Sequence, residues 1–296
     1  MYLERLSLLN FKNYPDAELA FSPRVNCFVG DNGEGKTNLL DAIYYLSFCK
    51  SFFNPIDSQN IRHGEEFFML QGAFQREEKA ELIACSVKRQ QKKQFRRNKK
   101  EYSRLADHIG LLPLVMVSPA DHDLIHLGSE VRRKLIDGVI AQYDKPYLDH
   151  LLSYNRVLTQ RNALLKRFAE TRSFDATTLE IWDVQLAEHG QAVHRGRQEF
   201  LKAFTDIFQR YFSIISNGKE QVALDYVSRL NEQPLEALLA EAQPKDRMVQ
   251  HTTVGVHKDD LRFLLGEHPL KKFGSQGQQK SYLLALRLAQ FAFIKS

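Results

Sequence analysis

The chain has 296 residues, of which 43% are hydrophobic, and its formal net charge is +5. This length allows one large domain or two modest ones, and the basic balance permits a nucleic-acid or acidic partner. The charged opening MYLERLSLLNF excludes a signal peptide, and no apolar run approaches the roughly 20 residues that span a bilayer. We therefore expect a cytoplasmic protein with no membrane partner.

The N-terminal third is predicted to form a mixed sheet around a glycine-rich loop. The candidate strands are YLERLSLLNF, AELAF, VNCFV, FFMLQGAF and AELIACSVKR. The run VNCFV, residues 25–29, is short and apolar and predicts a buried strand just before the loop. Cys27, Cys49 and Cys85 form no C-x-x-C pair, and their apolar neighbours predict core thiols.

Residues 30–37 read GDNGEGKT and fit the phosphate-binding pattern G-x-x-x-x-G-K-[ST] without a mismatch. The glycines allow several N–H groups to point at one anion, and a helix predicted from TNLLDAIYYL adds its dipole. Lys36 is predicted to reach the β- and γ-phosphates as a catalytic residue, and the Thr37 hydroxyl to ligate Mg²⁺. The predicted ATP-binding set is Gly30, Asp31, Asn32, Gly33, Glu34, Gly35, Lys36, Thr37 and Asn38.

The densest positive charge follows the predicted strands, in KRQQKKQFRRNKK, where Asn98 suits a hairpin turn. Its basic residues are Lys88, Arg89, Lys92, Lys93, Arg96, Arg97, Lys99 and Lys100, and Phe95 is the only aromatic residue among them. A solvated edge hairpin and a ribbon that contacts DNA phosphates both explain this pattern. The phosphate-binding loop nearby tilts the interpretation slightly toward DNA.

GLLPLVMV, residues 110–117, predicts a buried strand that runs into a Pro-Ala-Asp turn. From about residue 130 to 216 the apolar spacing is helical, with one face from Leu148 to Leu165 and another from Leu179 to Tyr211. ETRSFDA separates the two, so the simplest arrangement is two long antiparallel helices that form a lobe. The arginines of this region, Arg132, Arg133, Arg156, Arg161 and Arg167, are expected on a solvated face.

Near the C-terminal end, GSQGQ at residues 274–278 resembles the signature loop of ABC-type ATPases. Ser275, Gly277 and Gln278 match the common form Leu-Ser-Gly-Gly-Gln, and they precede a predicted helix that would also favour a phosphate. A simple polar cap before an amphipathic helix is the alternative. In these ATPases, the loop binds the ATP held by a partner subunit, which assigns Ser275 a catalytic role.

Blocks along the whole chain resemble the RecF family of recombination-repair ATPases: NFKNY, GDNGEGKTNLLDAIYYLS, KSFF, IRHG, SPADHDLI, RRKLID, YLDHLLSYNRVLTQRNALLK, VGVHKDDL and FGSQGQQKS. The resemblance implies an α/β fold, an ABC-type P-loop ATPase head with an inserted α-helical lobe. It also implies an ATP-dependent homodimer that binds single- and double-stranded DNA. Action in gap repair, replication and the SOS response would follow, with partners of the RecR and RecO type.

Three departures from the family pattern concern the site. Ala120 replaces an acidic residue, so Asp121 is left as the candidate metal ligand of SPADHD, and Val256 replaces a proline. No apolar run that ends in two acidic residues follows Phe273, where the family has its Walker B strand with the catalytic carboxylate. We therefore expect a chain truncated at its C-terminal end, with little of the weak DNA-dependent ATPase activity implied for the intact family member.

The predicted division is 1–125 for the first part of the head, 126–220 for the lobe and 221–296 for the second part of the head. Two other functions stay open. One is a scaffold that binds ATP and DNA without hydrolysis, which measurable turnover would exclude. The other is a transporter-type ATPase subunit, against which the long helical lobe and the basic hairpin argue.

Overall fold

The computed structural model describes residues 1–77 and 79–295. The chain divides into two compact units, Met1–Met116 and Val117–Ser296. This division follows compactness alone, and the three functional parts 1–125, 126–220 and 221–296 stay a prediction.

The first unit is a sheet with one helix on its inner face. Its elements are β1 Tyr2–Phe11, β2 Tyr14–Ala20, α1 Lys36–Phe48, β3 Phe67–Arg76, β4 Lys79–Lys88, β5 Gln94–Arg97 and β6 Lys100–Glu101. Within the described residues the strand order is β2-β1-β3-β4-β5-β6, and every pairing is antiparallel. Alternate strand residues such as Leu6, Leu8 and Leu70 point inward and pack with Tyr45 and Leu46 of α1. Four of the five sequence-predicted strands of this region and the helix after the loop are confirmed.

The strand predicted at residues 25–29 is wrong. Val25 and Val29 are 76% and 90% exposed, and no strand among residues 1–77 and 79–295 pairs with this segment. The buried strand predicted at 110–117 is also wrong, since Leu112 is buried but Val117 is 59% exposed. Apolar composition favours a strand, but a strand forms only where a neighbour supplies partners for its N–H and C=O groups.

The turn predicted at Asn98 is confirmed. Asn98 and Lys99, between β5 and β6, have φ values of 50° and 71°. Two successive residues with positive φ characterise the type I′ turn that matches the twist of a hairpin. The Asn98 side chain also accepts a hydrogen bond from the Leu82 N–H at 2.8 Å, which fastens the turn to β4.

The second unit is mainly helical, with a small antiparallel sheet in the order β7-β8-β9. Its elements are α2 Asp123–His126, α3 Ser129–Ile140, α4 Lys145–Thr171, α5 Ala176–Ser216, β7 Val222–Val227, α6 Leu235–Val249, β8 Asp260–Leu265, β9 His268–Pro269, α7 Leu270–Phe273 and α8 Gln276–Lys295. Asp144 and Asp175 cap the long helices α4 and α5, which pack against each other across the break expected at ETRSFDA. The predicted pair of long helices is thereby confirmed.

Arg161 does not lie on a solvated face, as the sequence pattern indicated. It is fully buried on α4, where Nε donates to Asp183 at 2.5 Å and Nη1 donates to Asp246 at 2.7 Å. The same Nη1 also donates to Thr252 at 2.9 Å. Helical periodicity could not reveal this position, because its partners come from α5, α6 and the loop after α6.

The three cysteine thiols differ in burial. Cys49 and Cys85 are buried, as predicted, and burial raises the pKa of Cys49 to about 12. Cys27 is exposed, so the core position predicted for it is wrong. It lies in the 25–29 segment, which is not part of either sheet formed by the described residues.

Candidate functional site

The predicted phosphate-binding loop has the backbone of an anion site. Gly30, Gly33 and Gly35 have φ values of 150°, 92° and 101°, which L side chains rarely adopt. Gly35 is the N-cap of α1, and no side chain of the described residues caps this helix. The first-turn N–H groups are therefore left for an anion, with the positive end of the helix dipole behind them.

Lys36 lies folded over this loop. Its Nζ donates to the carbonyl oxygens of Gly30 and Asp31, both at 2.7 Å. Both carbonyl oxygens are neutral acceptors, so the anionic oxygens of a phosphate would compete with them and form the stronger hydrogen bond with the Lys36 ammonium. Thr37 follows with an exposed side chain. The loop residues predicted to bind ATP are thus contiguous and accessible, and their fit to a triphosphate and Mg²⁺ rests on this donor set.

Asn13, in the turn between β1 and β2, is hydrogen-bonded to the phosphate-binding loop and to the first turn of α1. Its Nδ2 donates to the Glu34 carbonyl at 3.2 Å, and its Oδ1 accepts from Asn38 Nδ2 at 2.8 Å. A Cβ on Gly35 would lie 2.5 Å from Asn13 Nδ2, so the close approach requires glycine. The sequence singled out the NFKNY block but not this role, which depends on a contact between distant segments.

Asp41 of α1 is a second support. It is fully buried, pairs with Lys12 Nζ at 2.5 Å, and accepts from Ser51 Oγ at 2.6 Å and Phe52 N–H at 2.7 Å. Three donors around one carboxylate compensate for its desolvation. The α1 helix is thereby held to the turn before β2 and to the KSFF block.

The signature-like loop begins α8 with a reciprocal cap. Ser275 Oγ accepts from the Gln278 N–H at 3.2 Å, and the Ser275 N–H donates to Gln278 Oε1 at 2.6 Å. This is the capping-box arrangement. A Cβ on Gly277 would have Ser275 Oγ as its nearest neighbour, at 3.9 Å, so the backbone there is open. The loop therefore presents a rigid, accessible edge at the start of a 20-residue helix.

Asp121 has both carboxylate oxygens engaged. Arg287 of α8 donates from Nη2 to Oδ1 at 2.5 Å and from Nε to Oδ2 at 3.0 Å. Among the described residues, no group of three or more His, Cys, Asp or Glu side chains could hold a metal ion. The role of Asp121 as a metal ligand stays a prediction, and it would require the ion pair with Arg287 to break.

The basic hairpin contains two kinds of cation. Lys93 Nζ is held by Asp57 at 2.8 Å, the Cys49 carbonyl at 2.6 Å and the Tyr45 hydroxyl at 3.2 Å. Arg97 forms a two-pronged ion pair with Glu81 of β4. The other six, Lys88, Arg89, Lys92, Arg96, Lys99 and Lys100, are exposed. Phe95 is 1% exposed and belongs to the core, so it offers no surface for stacking on a base.

The sequence matches the family described as the RecF/RecN/SMC N terminal domain over residues 2–296. The chain belongs to the RecF/RecN/SMC N-terminal domain family. It is 55% identical over 296 residues to the DNA replication and repair protein RecF of Phocaeicola vulgatus, covering 100% of this chain and 79% of the relative. The RecF protein of Flavobacterium johnsoniae is 52% identical over 295 residues, and the match covers 82% of it.

A solved structure of the recombination mediator protein RecF-ATP in the RecFOR pathway has a TM-score of 0.95 to this chain at 29% identity. The match covers 100% of this chain and 81% of that one. The predicted resemblance and the α/β fold of an ABC-type ATPase head are thus confirmed. As for membrane insertion, none of the helices in the described residues combines the length and apolar character that crossing a bilayer demands.

Proposed function

We propose that this chain is an ATP-binding protein of DNA replication and recombination repair, of the RecF type. The observation that carries the proposal is the loop at residues 30–37, with its positive-φ glycines and the uncapped start of α1. Two relatives that match this chain along its whole length are DNA replication and repair proteins. A function in the cytoplasm, where bacterial DNA is repaired, agrees with both observations.

In the proposed site, Lys36 would exchange its bonds to the Gly30 and Asp31 carbonyls for bonds to the β- and γ-phosphates of ATP. The Thr37 hydroxyl would hold Mg²⁺, and the ion would offset the negative charge of the phosphates. Asp31, Asn32, Glu34 and Asn38 line the same loop. Asn13 holds the Glu34 end of the loop to the turn between β1 and β2, so the N–H groups are in position before the nucleotide binds.

ATP is proposed to join two copies of the chain. Each copy would place Ser275, Gly277 and Gln278 against the ATP held in the loop of its partner. The support is the open edge at Gly277 and the helix start behind it. ATP binding would then close the homodimer, and loss of the γ-phosphate would release it.

The six exposed cations of the hairpin are proposed to bind DNA phosphates in single- and double-stranded DNA. Five of them lie between residues 89 and 100, on β5, on β6 and in the turns at either end of β5. The buried Phe95 offers no base contact, so binding would be independent of sequence. Association with RecR- and RecO-type proteins at gapped DNA is part of the same proposal.

Two titrations of the unmodified chain test the proposal. Binding of a fluorescent ATP analogue with Mg²⁺ should saturate, and unlabelled ATP should displace it. Fluorescence anisotropy of a labelled DNA oligonucleotide should show binding, and the logarithm of the association constant should fall linearly with the logarithm of salt concentration. Absence of ATP binding would contradict the nucleotide site, and DNA binding insensitive to salt would contradict the phosphate-contacting hairpin.

A further inference from the structure

Glu220 touches the signature-like loop from a different part of the second unit. It lies in the turn between α5, which ends at Ser216, and β7, which begins at Val222. Its Oε1 accepts a hydrogen bond from Gln278 Nε2 at 2.5 Å. The carboxylate is half-buried, so the contact is only partly shared with water.

This contact decides which way the Gln278 amide points. A glutamine side chain has one donor end and one acceptor end. With the Nε2 end held by Glu220, the Oε1 end faces the Ser275 N–H at 2.6 Å. The Gln278 N–H in turn donates to Ser275 Oγ at 3.2 Å. A single chain of hydrogen bonds therefore runs from Glu220 through Gln278 to the N–H and the hydroxyl of Ser275.

We propose that Glu220 is a positioning residue for the signature-like loop: it orients Gln278 and through it fixes Ser275 in the geometry that meets the partner's ATP. The inference rests on the proposed function, because the loop acts on ATP only in that account. Glu220 also joins the end of the 41-residue helix α5 to the start of α8. The turn after α5 thus contacts the loop through this side chain.

What the loop needs from residue 220 is an acceptor. A negative charge beside a predicted phosphate site opposes phosphate binding. Glutamine at this position keeps an acceptor oxygen for Gln278 Nε2 and removes the charge. Lysine offers donors alone, so it would attract Gln278 Oε1 and leave the Ser275 N–H without its partner. Alanine removes the contact and leaves the amide free to turn.

Hydrogen exchange in the nucleotide-free protein tests the orientation directly. Peptides that span residues 274–279 should exchange up to about tenfold faster in Glu220→Ala and Glu220→Lys, the effect expected from losing one hydrogen bond. Glu220→Gln should match the unmodified chain. Glu267→Ala, in the exposed turn between β8 and β9, is the matched control and should change nothing in this segment. Circular dichroism verifies that each variant is folded.

The second readout is the mass in solution with ATP and Mg²⁺. Glu220→Gln should dimerise at the same or a lower ATP concentration, whereas Glu220→Ala should need more ATP and Glu220→Lys should stay monomeric. Unchanged exchange in the alanine and lysine variants would overturn the proposal, and so would a glutamine variant that behaves like alanine. A wild-type chain that never dimerises contradicts the proposed sandwich, while the exchange data still decide the role of Glu220.

Discussion

Arg287 of α8 donates two hydrogen bonds to the Asp121 carboxylate, at 2.5 and 3.0 Å. Both side chains are more than nine-tenths buried. The pair connects α8 to the 3-10 turn Pro119–His122. Planar guanidinium and carboxylate groups fix each other's orientation in this arrangement. Asp121, which the sequence predicted as a metal ligand, thus holds α8 to the turn Pro119–His122.

Replacing Asp121 with asparagine should destabilise the chain without any nucleotide. Removal of one partner leaves the Arg287 charge buried and uncompensated, which costs about 3–5 kcal/mol in comparable pairs. Urea unfolding at pH 7 measures the loss. A variant as stable as the unmodified chain, but unable to bind Mg²⁺-ATP, would instead support Asp121 as a metal ligand. Asp123→Asn, two residues on, is the control.

Lys36→Met should weaken ATP binding by about 10- to 100-fold, because charge-assisted hydrogen bonds contribute about 1.5–3 kcal/mol. The unfolding free energy should change little, since Lys36 Nζ bonds only to two loop carbonyls within the described contacts. Isothermal titration calorimetry measures the affinity, and Lys79→Met on β4 serves as control. Equal affinity in the Lys36 variant would place the nucleotide elsewhere.

Sequence reasoning located the features that depend on local chemistry. The glycine loop, the Asn98 turn and the break between α4 and α5 each follow from the backbone preferences of a few residues. It failed where tertiary partners decide the outcome. The run at 25–29 is apolar yet exposed, because no described strand pairs with it. Arg161 is charged yet buried, because two aspartates from other helices surround it.

The site shows the same limit. The residues of the phosphate loop and of the signature-like loop could be named from their patterns alone. Asn13 and Glu220 could not, since each acts through a hydrogen bond to a segment at least 20 residues away. Of the eight basic hairpin residues, Lys93 and Arg97 differ from the exposed six by their ion pairs with Asp57 and Glu81, which the sequence does not reveal. Spacing in a sequence predicts which residues share a pattern, not which of them already have a partner.

The basic hairpin contains exposed lysines and one lysine held by an ion pair, so substitutions of the neighbours Lys92 and Lys93 should have opposite effects. Lys92→Ala should weaken DNA binding and reduce the slope of affinity against salt by about 1, as expected for one lost phosphate contact. Lys93→Met should leave that slope unchanged but lower the unfolding free energy by about 1–3 kcal/mol, because Asp57 loses its cationic partner and keeps the Tyr45 hydroxyl. Anisotropy titrations at several salt concentrations measure the slope, and urea unfolding measures the unfolding free energy. Interchanged results would contradict the assignment.

Stability should fall in mild acid because of two histidines, His108, which is buried, and His257, which is partly buried. Burial lowers the pKa of His108 and of His257 from 6.5 to about 4. In each, Nε2 donates to a carbonyl, of Leu46 or Thr252, and Nδ1 accepts from a tyrosine hydroxyl. Both rings are therefore neutral in the folded chain. As the pH falls from about 6.5 to 4, the unfolded chain binds protons that the folded chain refuses, so stability is lost.

The expected loss between pH 7 and pH 5 is about 2 kcal/mol for each histidine, since one pKa unit corresponds to about 1.4 kcal/mol. Urea unfolding at pH 7 and pH 5 measures it. In His257→Gln the difference between the two pH values should shrink, while His63→Gln, an exposed control, should behave as the unmodified chain. A stability that is flat between pH 7 and 5 would contradict the neutral histidine rings.

The central claim is that ATP held by one copy of the chain is closed over by the signature-like loop of another. Light scattering with Mg²⁺-ATP, with ADP, and of Ser275→Arg with Mg²⁺-ATP tests it most directly. The account predicts a dimer with ATP alone, and a monomer with ADP and in the variant, whose arginine occupies the edge where phosphate would lie. A monomer under all three conditions, or a dimer that the variant retains, would contradict it.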